Sequence, residues 1–181
     1  MVIPNLFEKT DPALLPDKLA HQLVIEWQWS AIGLWLYGPS GSGKSRSAYA
    51  LMQKLGRDGE NITGNQFQRE IIERTKPGGS GDFDDWFADL IYQDVLYFDD
   101  VSKIRFSERT ELEFHAVLDA RAGKELPTFF TSELSVDVFG ERISEDNRAG
   151  IVRRIKEFCK PVRFSADATG RGNESQRIRN D

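Results

Sequence analysis

Short apolar runs recur along the chain at the spacing of strands that alternate with helices. Ile32 to Tyr37 (IGLWLY) is apolar throughout, Val95 to Phe98 (VLYF) runs into two aspartates, Thr128 to Ser132 (TFFTS) sets two phenylalanines between hydroxyls, and Pro161 to Phe164 (PVRF) comes last. Continuous runs of this length predict strands buried on both faces, as in a parallel sheet. A weaker strand is expected near Asn61 to Thr63. Between the runs the spacing turns helical. Leu19, Leu23 and Trp27 recur at i, i+4, i+8 and predict a helix from Pro16 to about Trp29, with Pro16 in its first turn. Further helices are expected from the glycine-rich turn to Leu55, over Gln66 to Arg74, around Trp86 to Leu90 behind an Asp82 or Asp84 cap, from Ser107 to Ala122, over Leu134 to Phe139, and from Asp146 to Phe158. Residues 5 to 16, interrupted by proline, read as irregular, and 76 to 81 (KPGGSG) as a loop. The architecture predicted is α/β, a five-stranded parallel sheet with helices on both faces. The expected division is an N-terminal linker and helix over 1–30, a core over 31–164 and a polar, disordered tail over 165–181.

Composition narrows this reading. A chain of 181 residues is one α/β domain, long enough to bury about two-thirds of its unfolded surface. No run approaches a membrane span, and Met1 to Asn5 lacks the basic and apolar regions of a signal peptide. The single cysteine, Cys159, reads as a small buried hydrophobe and fits a reducing cytoplasm. Net charge is −5 but uneven: ten Lys and Arg stand against six Asp and Glu from Arg142 onward, and fourteen against twenty-three before it. A basic C-terminal third can meet nucleic acid, an acidic neighbouring subunit, or solvent alone.

The strongest chemical signal is Gly38 to Ser45, GPSGSGKS, which fits G-x-x-x-x-G-K-[ST] without a mismatch and stands between an apolar run and a helix. The pattern predicts a triphosphate grip, with ATP and Mg²⁺ as the ligands. Gly38, Pro39, Ser40, Gly41, Ser42 and Gly43 let the chain wrap an anion with backbone N–H groups pointing inward. Lys44 reaches the β- and γ-phosphates and the Ser45 hydroxyl ligates Mg²⁺. The second site needed for phosphate chemistry is expected at Asp99 and Asp100, at the C-terminal end of a strand that lies beside the glycine-rich loop if the two strands are neighbours. Asp99 then orders the metal shell and Asp100 orients or deprotonates water. Thr131 and Ser132, at the end of the following strand, are expected to sense the terminal phosphate, the alternative being a strand-end turn. Arg142, Arg148, Arg153 and Arg154 are the arginines available to transition-state charge.

The order of these pieces resembles the AAA+ ATPases of bacterial helicase loaders: P-loop, VLYFDD, a helix ending LDARAGKELP, then TFFTSELS and GIVRRI. The relatives are DnaC-like loaders, IstB-like transposition ATPases and, more distantly, DnaA initiators, and the likeness runs from about Leu6 to Phe164. It implies a Walker B pair at Asp99 and Asp100, and an arginine finger at Arg154, with Arg153 the close alternative, acting on ATP in an adjacent subunit. It also implies a linker around Phe7 to Asp17 near the adenine. Glu133 stands where the family usually has asparagine or aspartate, so Thr131 or Ser132 takes the sensor role. Arg121 matches an arginine of the family with no role attached. The family's helical lid is expected to be absent, because only a polar tail follows the last strand. The resemblance implies an ATPase of DNA replication that assembles with ATP between subunits, with a replicative helicase or other replication protein, and single-stranded DNA, as partners and no membrane. A viral-type replicative helicase domain, a monomeric P-loop kinase, and a binding module that uses ATP only as an assembly switch are the alternatives. ATP-dependent assembly separates the first reading from a kinase.

Overall fold

The computed structural model describes residues 3–76, 78 and 82–165. Five parallel strands form one sheet: β1 (Gly33–Tyr37), β2 (Gly59–Thr63), β3 (Val95–Asp99), β4 (Thr128–Ser132) and β5 (Cys159–Arg163), in the order β2-β3-β4-β1-β5. The helices are α1 (Lys18–Ile25), α2 (Lys44–Leu55), α3 (Gly64–Thr75), α4 (Phe83–Tyr92), α5 (Glu108–Gly123), α6 (Val136–Gly140) and α7 (Glu145–Phe158). This is the α/β sheet expected from the apolar runs. The tail expected over 165–181 lies outside the described residues from 166 onward.

Side chains alternate along each strand between two cores. Trp35, Leu96, Phe98 and Phe130 point to the face covered by α3 to α7, where Phe67, Phe114 and Phe139 meet them. Leu34, Leu36, Tyr97 and Phe129 point to the face covered by α1 and α2. The three inner strands β1, β3 and β4 are therefore buried at nearly every position and show no polar alternation, whereas the edge strands β2 and β5 keep exposed polar residues. The first core is built largely from rings. Phe98 and Phe130, on adjacent strands, stack with centroids 5.4 Å apart. Each fully buried ring of this kind contributes about 2–3 kcal/mol of transfer free energy.

Four expectations change. First, α1 does not bury Leu19 and Leu23, which are 55% and 56% exposed; it buries Ala20, His21 and Val24. The phase is set by Asp17, whose Oδ1 caps the Ala20 amide at 3.0 Å while Oδ2 accepts from the amide and hydroxyl of Ser165. The helix ends at Ile25, short of Trp29, and Trp27 turns back edge-on to Phe129. Second, β4 lies between β1 and β3, so the strand carrying Asp99 is not a neighbour of the strand that feeds the glycine-rich loop. Third, Asp82 stands at the N-terminus of α4 but makes no capping hydrogen bond there; it pairs with Arg74. Fourth, residues 5–16 are not irregular throughout, because Asn5–Phe7 and Pro12–Leu14 are 3-10 turns. The single cysteine behaves as expected: it is buried, and burial pushes its thiol far up.

Arg121 also acquires a role. It is 1% exposed, inside the corner where α4 leads into β3 and α5 into β4. Its guanidinium donates to the carbonyls of Leu90 at 2.9 Å, Gln93 at 2.9 Å and Pro127 at 2.7 Å, and its Nε to the Thr128 hydroxyl at 2.9 Å. Burial lowers its pKa to about 10. These carbonyls sit where backbone leaves a helix and enters a strand, and the planar fork gives them a donor, in the case of Pro127 beside the Leu96 amide at 3.4 Å. We expect Arg121→Met to cost about 3 kcal/mol of stability in urea unfolding, because several buried carbonyls lose their donor at once. A loss below about 1 kcal/mol would show that water serves the corner equally well.

Candidate functional site

The glycine-rich loop joins β1 to α2 with two backbone demands that only glycine meets easily. Gly38 has φ +142°, and a Cβ there would stand 2.2 Å from the Phe164 carbonyl oxygen; Gly43 opens α2 at φ +97°. Lys44, 6% exposed, folds its ammonium back over the loop and donates to the carbonyls of Gly38 at 2.9 Å and Pro39 at 2.8 Å. Burial pulls the Lys44 pKa down, against the pull of Asp100, Glu133 and Asp99. Ser42 Oγ is buried with no hydrogen-bond partner among the described residues. Its backbone neighbours form the wall of an anion cradle.

Although β4 separates the two strands, the loop and the carboxylates meet. Ser45 Oγ donates to Asp99 Oδ1 at 2.8 Å. The same oxygen accepts from the Tyr97 hydroxyl at 2.7 Å and the Thr131 hydroxyl at 2.6 Å. Thr131 Oγ1 in turn accepts the Asp100 amide at 2.8 Å, and Ser102 Oγ accepts the Glu133 amide at 3.3 Å. The turn after β3 is thus tied to the end of β4 by side chains. Asp100 takes the left-handed conformation, φ +50° and ψ +49°, which a short polar side chain tolerates best after glycine. Gly64 makes room for it, because a Cβ at Gly64 would lie 2.6 Å from the Asp100 carbonyl. Burial, and next Asp99, raise the Asp100 pKa, so it holds a proton more readily than a solvated carboxylate.

A cavity of about 390 Å³ opens over this cluster. Ser40, Gly41, Gly43, Lys44, Ser45, Arg46, Asp100 and Glu133 give it a polar lining, and Phe7, Leu14, Leu15 and Pro16 from the N-terminal segment an apolar one. The segment is seated by aromatic contacts: Phe7 stacks on Tyr49 at 4.7 Å, and Tyr49 meets Tyr97 edge-on at 5.0 Å. The walls match a ligand with a flat apolar part and a charged phosphate part.

The other expected residues fall elsewhere. Ser132 caps its own turn, accepting from the Leu134 amide at 2.9 Å, and its carbonyl receives the Gly38 amide. Arg154 lies on α7, ion-paired with Asp119 of α5 and, at 3.2 Å, with Glu157; it does not line the cavity. Arg153 grips Glu157 with two bonds of 2.9 and 3.0 Å. Arg142 donates to the Ser102 carbonyl, and Arg148 to that of Ile143 at 3.2 Å. Tyr97, Ser102 and Gly64 belong to the site but escaped the sequence, and Lys103 stands beside it, paired with Glu133. Tyr97 reads as one more strand apolar, and Lys103 is betrayed only by standing three residues after Asp100. Among the described residues no group of three or more His, Cys, Asp or Glu side chains forms a metal site. Ser45 and Asp99 supply hard oxygens side by side, a set that fits Mg²⁺ when phosphate oxygens complete its shell.

Comparison with known proteins places this geometry. A family model described as IstB-like ATP binding protein matches residues 8–177. No curated protein matches the sequence. The fold is similar to that of DnaI (TM-score 0.68, 21% identity, 87% of each chain) and of the DnaC helicase loader (TM-score 0.67, 15% identity, 90% of this chain and 100% of that one). It is also similar to the replication initiator DnaA bound to AMPPCP and single-stranded DNA (TM-score 0.64, 19% identity), covering 81% of this chain and 44% of that one. The fold is therefore of the AAA+ P-loop class, as the order of motifs implied.

Two substitutions test the cluster. Lys44→Ala is expected to abolish ATP binding in calorimetric titration, because the cradle loses its cation. Thr131→Val keeps the volume of a fully buried residue but strips Asp100 of its amide acceptor and Asp99 of a donor. We expect about 2 kcal/mol of lost stability on thermal unfolding, and unchanged stability would refute this linkage.

Proposed function

Because the chain belongs to the family of IstB-like ATP-binding proteins, we propose that it is an ATPase whose phosphate site is Gly38 to Ser45 and whose hydrolytic group is Asp100. The observation that carries the reading is the bond from Ser45 to Asp99 across an intervening strand, which brings a P-loop hydroxyl and a strand-end carboxylate to one point. Ser45 and Asp99 would hold Mg²⁺, which would supply positive charge against the phosphates. Lys44 leaves the Gly38 and Pro39 carbonyls for the phosphates. Asp100, fixed at its amide by Thr131, orients water and takes its proton as the oxygen attacks the γ-phosphorus and the bond to ADP breaks. Its raised pKa suits that task, since a base that holds a proton too weakly cannot accept one.

Arg154 completes the site from outside. It faces α5 rather than this chain's own cavity, which supports a role at the phosphates of a neighbouring subunit. ATP then governs assembly. The loader and initiator folds it resembles support a place in DNA replication, loading or remodelling a replicative helicase, with single-stranded DNA as a further ligand.

The expected results are distinct. Asp100→Asn keeps ATP binding and slows hydrolysis at least about a hundredfold. Arg154→Ala keeps binding and loses hydrolysis at protein concentrations where sedimentation with AMPPCP shows assembly. Normal turnover by Arg154→Ala under those conditions would remove the trans arginine. Copurification with a helicase from the native host supports the replication role. A protein that neither assembles with ATP nor binds single-stranded DNA would overturn it, and phosphate transfer to a small acceptor would make it a kinase.

A further inference from the structure

Lys103 has no part in the scheme above, yet it stands against the cavity wall. It ends the 3-10 turn Val101–Lys103, and its amide donates to the Asp100 carbonyl at 2.9 Å. Its ammonium lies 3.4 Å from Glu133 Oε1, with the two side chains 46% and 41% exposed. Glu133 lines the P-loop cavity beside Asp100 and Lys44, and both Glu133 and Lys103 line a second cavity of about 700 Å³ next to it. The pair thus forms part of the partition between the two spaces. A half-exposed pair at this separation is weak and breaks at little cost.

Charge makes the position consequential. Asp100 and Glu133 line the cavity with Lys44 and Arg46, and Asp99 stands behind Ser45, so three carboxylates face two cations where a polyanionic phosphate must arrive. A further cation there would offset the surplus of carboxylate charge, and it must not bind Asp100 permanently, since that would occupy the hydrolytic group. Glu133 meets both needs by giving Lys103 an alternative partner. Lys103 closes the turn that Asp100 opens and contacts Glu133 of the cavity lining, so one side-chain movement separates its ammonium from the cavity.

Resting on the reading of this cavity as a triphosphate site, we propose that Lys103 is a ligand for the γ-phosphate that Glu133 holds in reserve. With the cavity empty or filled by a diphosphate, the ammonium rests on Glu133. With a triphosphate it moves to a γ-oxygen, and Glu133 is released toward the second cavity. The pair then distinguishes ATP from ADP inside one subunit, without help from a neighbour.

The test compares affinities of the full chain for AMPPCP and ADP, both with Mg²⁺, in wild type, Lys103→Met, Glu133→Gln and the double variant. Both positions are half-exposed, so the variants are expected to fold. Lys103→Met should weaken AMPPCP about tenfold and leave ADP unchanged, since one charge-assisted bond to the terminal phosphate is lost. Glu133→Gln should tighten AMPPCP about threefold by freeing Lys103, and this gain should largely vanish in the double variant. Equal weakening of both nucleotides by Lys103→Met, or no change in either, would overturn the proposal. So would an equal gain from Glu133→Gln in both backgrounds, the signature of bulk charge alone. A wild-type chain that binds neither nucleotide would bring down the triphosphate reading itself, and this inference with it.

Discussion

A single carboxylate oxygen fixes the geometry of the site. Asp99 Oδ1 receives hydroxyls from Ser45 on α2, Tyr97 on β3 and Thr131 on β4, all within 2.8 Å. Three donors on one acceptor leave its side chain no freedom of rotation, and each donor comes from a different element. The sheet brings these elements to the same edge, because parallel strands end together and their C-terminal ends line one crevice. What the oxygen adds is registration: it sets the glycine-rich loop at one height relative to the carboxylates. Thr131 passes the constraint on through the Asp100 amide, and Ser102 repeats it for Glu133. A loop of small residues and a left-handed turn, both soft alone, become one stiff frame.

Much of this was legible in the residues. The inner strands, buried on both faces, are continuous apolar runs, and all five strands appear within two residues of their expected ends. The P-loop is legible because the backbone it needs can be made from few residue types. The failures share a different cause. Leu19, Leu23 and Trp27 give a clear helical stripe, but α1 is docked by the two oxygens of Asp17, and a capping residue's tertiary partner, here Ser165, leaves no periodic trace. Strand order is likewise silent in the sequence. The contact between Ser45 and Asp99 was expected from neighbouring strands, and it occurs across β4 because Thr131 is small enough to share the space.

Arg121 shows how a charge can serve the fold alone. In the sequence it matches an arginine of the family to which no role attaches. Inside, its guanidinium closes the backbone of the corner before β3 and β4, the two strands whose far ends carry Asp99 and Thr131. The arginine is thus at the opposite end of the sheet from the phosphate site and holds the roots of the strands that build it.

The aromatic contacts behind the cavity have a mechanical consequence. Phe7 lies on Tyr49, Tyr49 meets Tyr97, and the Tyr97 hydroxyl bonds to Asp99. Rings in van der Waals contact transmit displacement with little loss, since a close-packed interior compresses poorly. The apolar wall and the carboxylate are therefore the two ends of one lever. A load on the N-terminal segment therefore bears, through two rings and one hydroxyl, on the same oxygen that Ser45 and Thr131 hold.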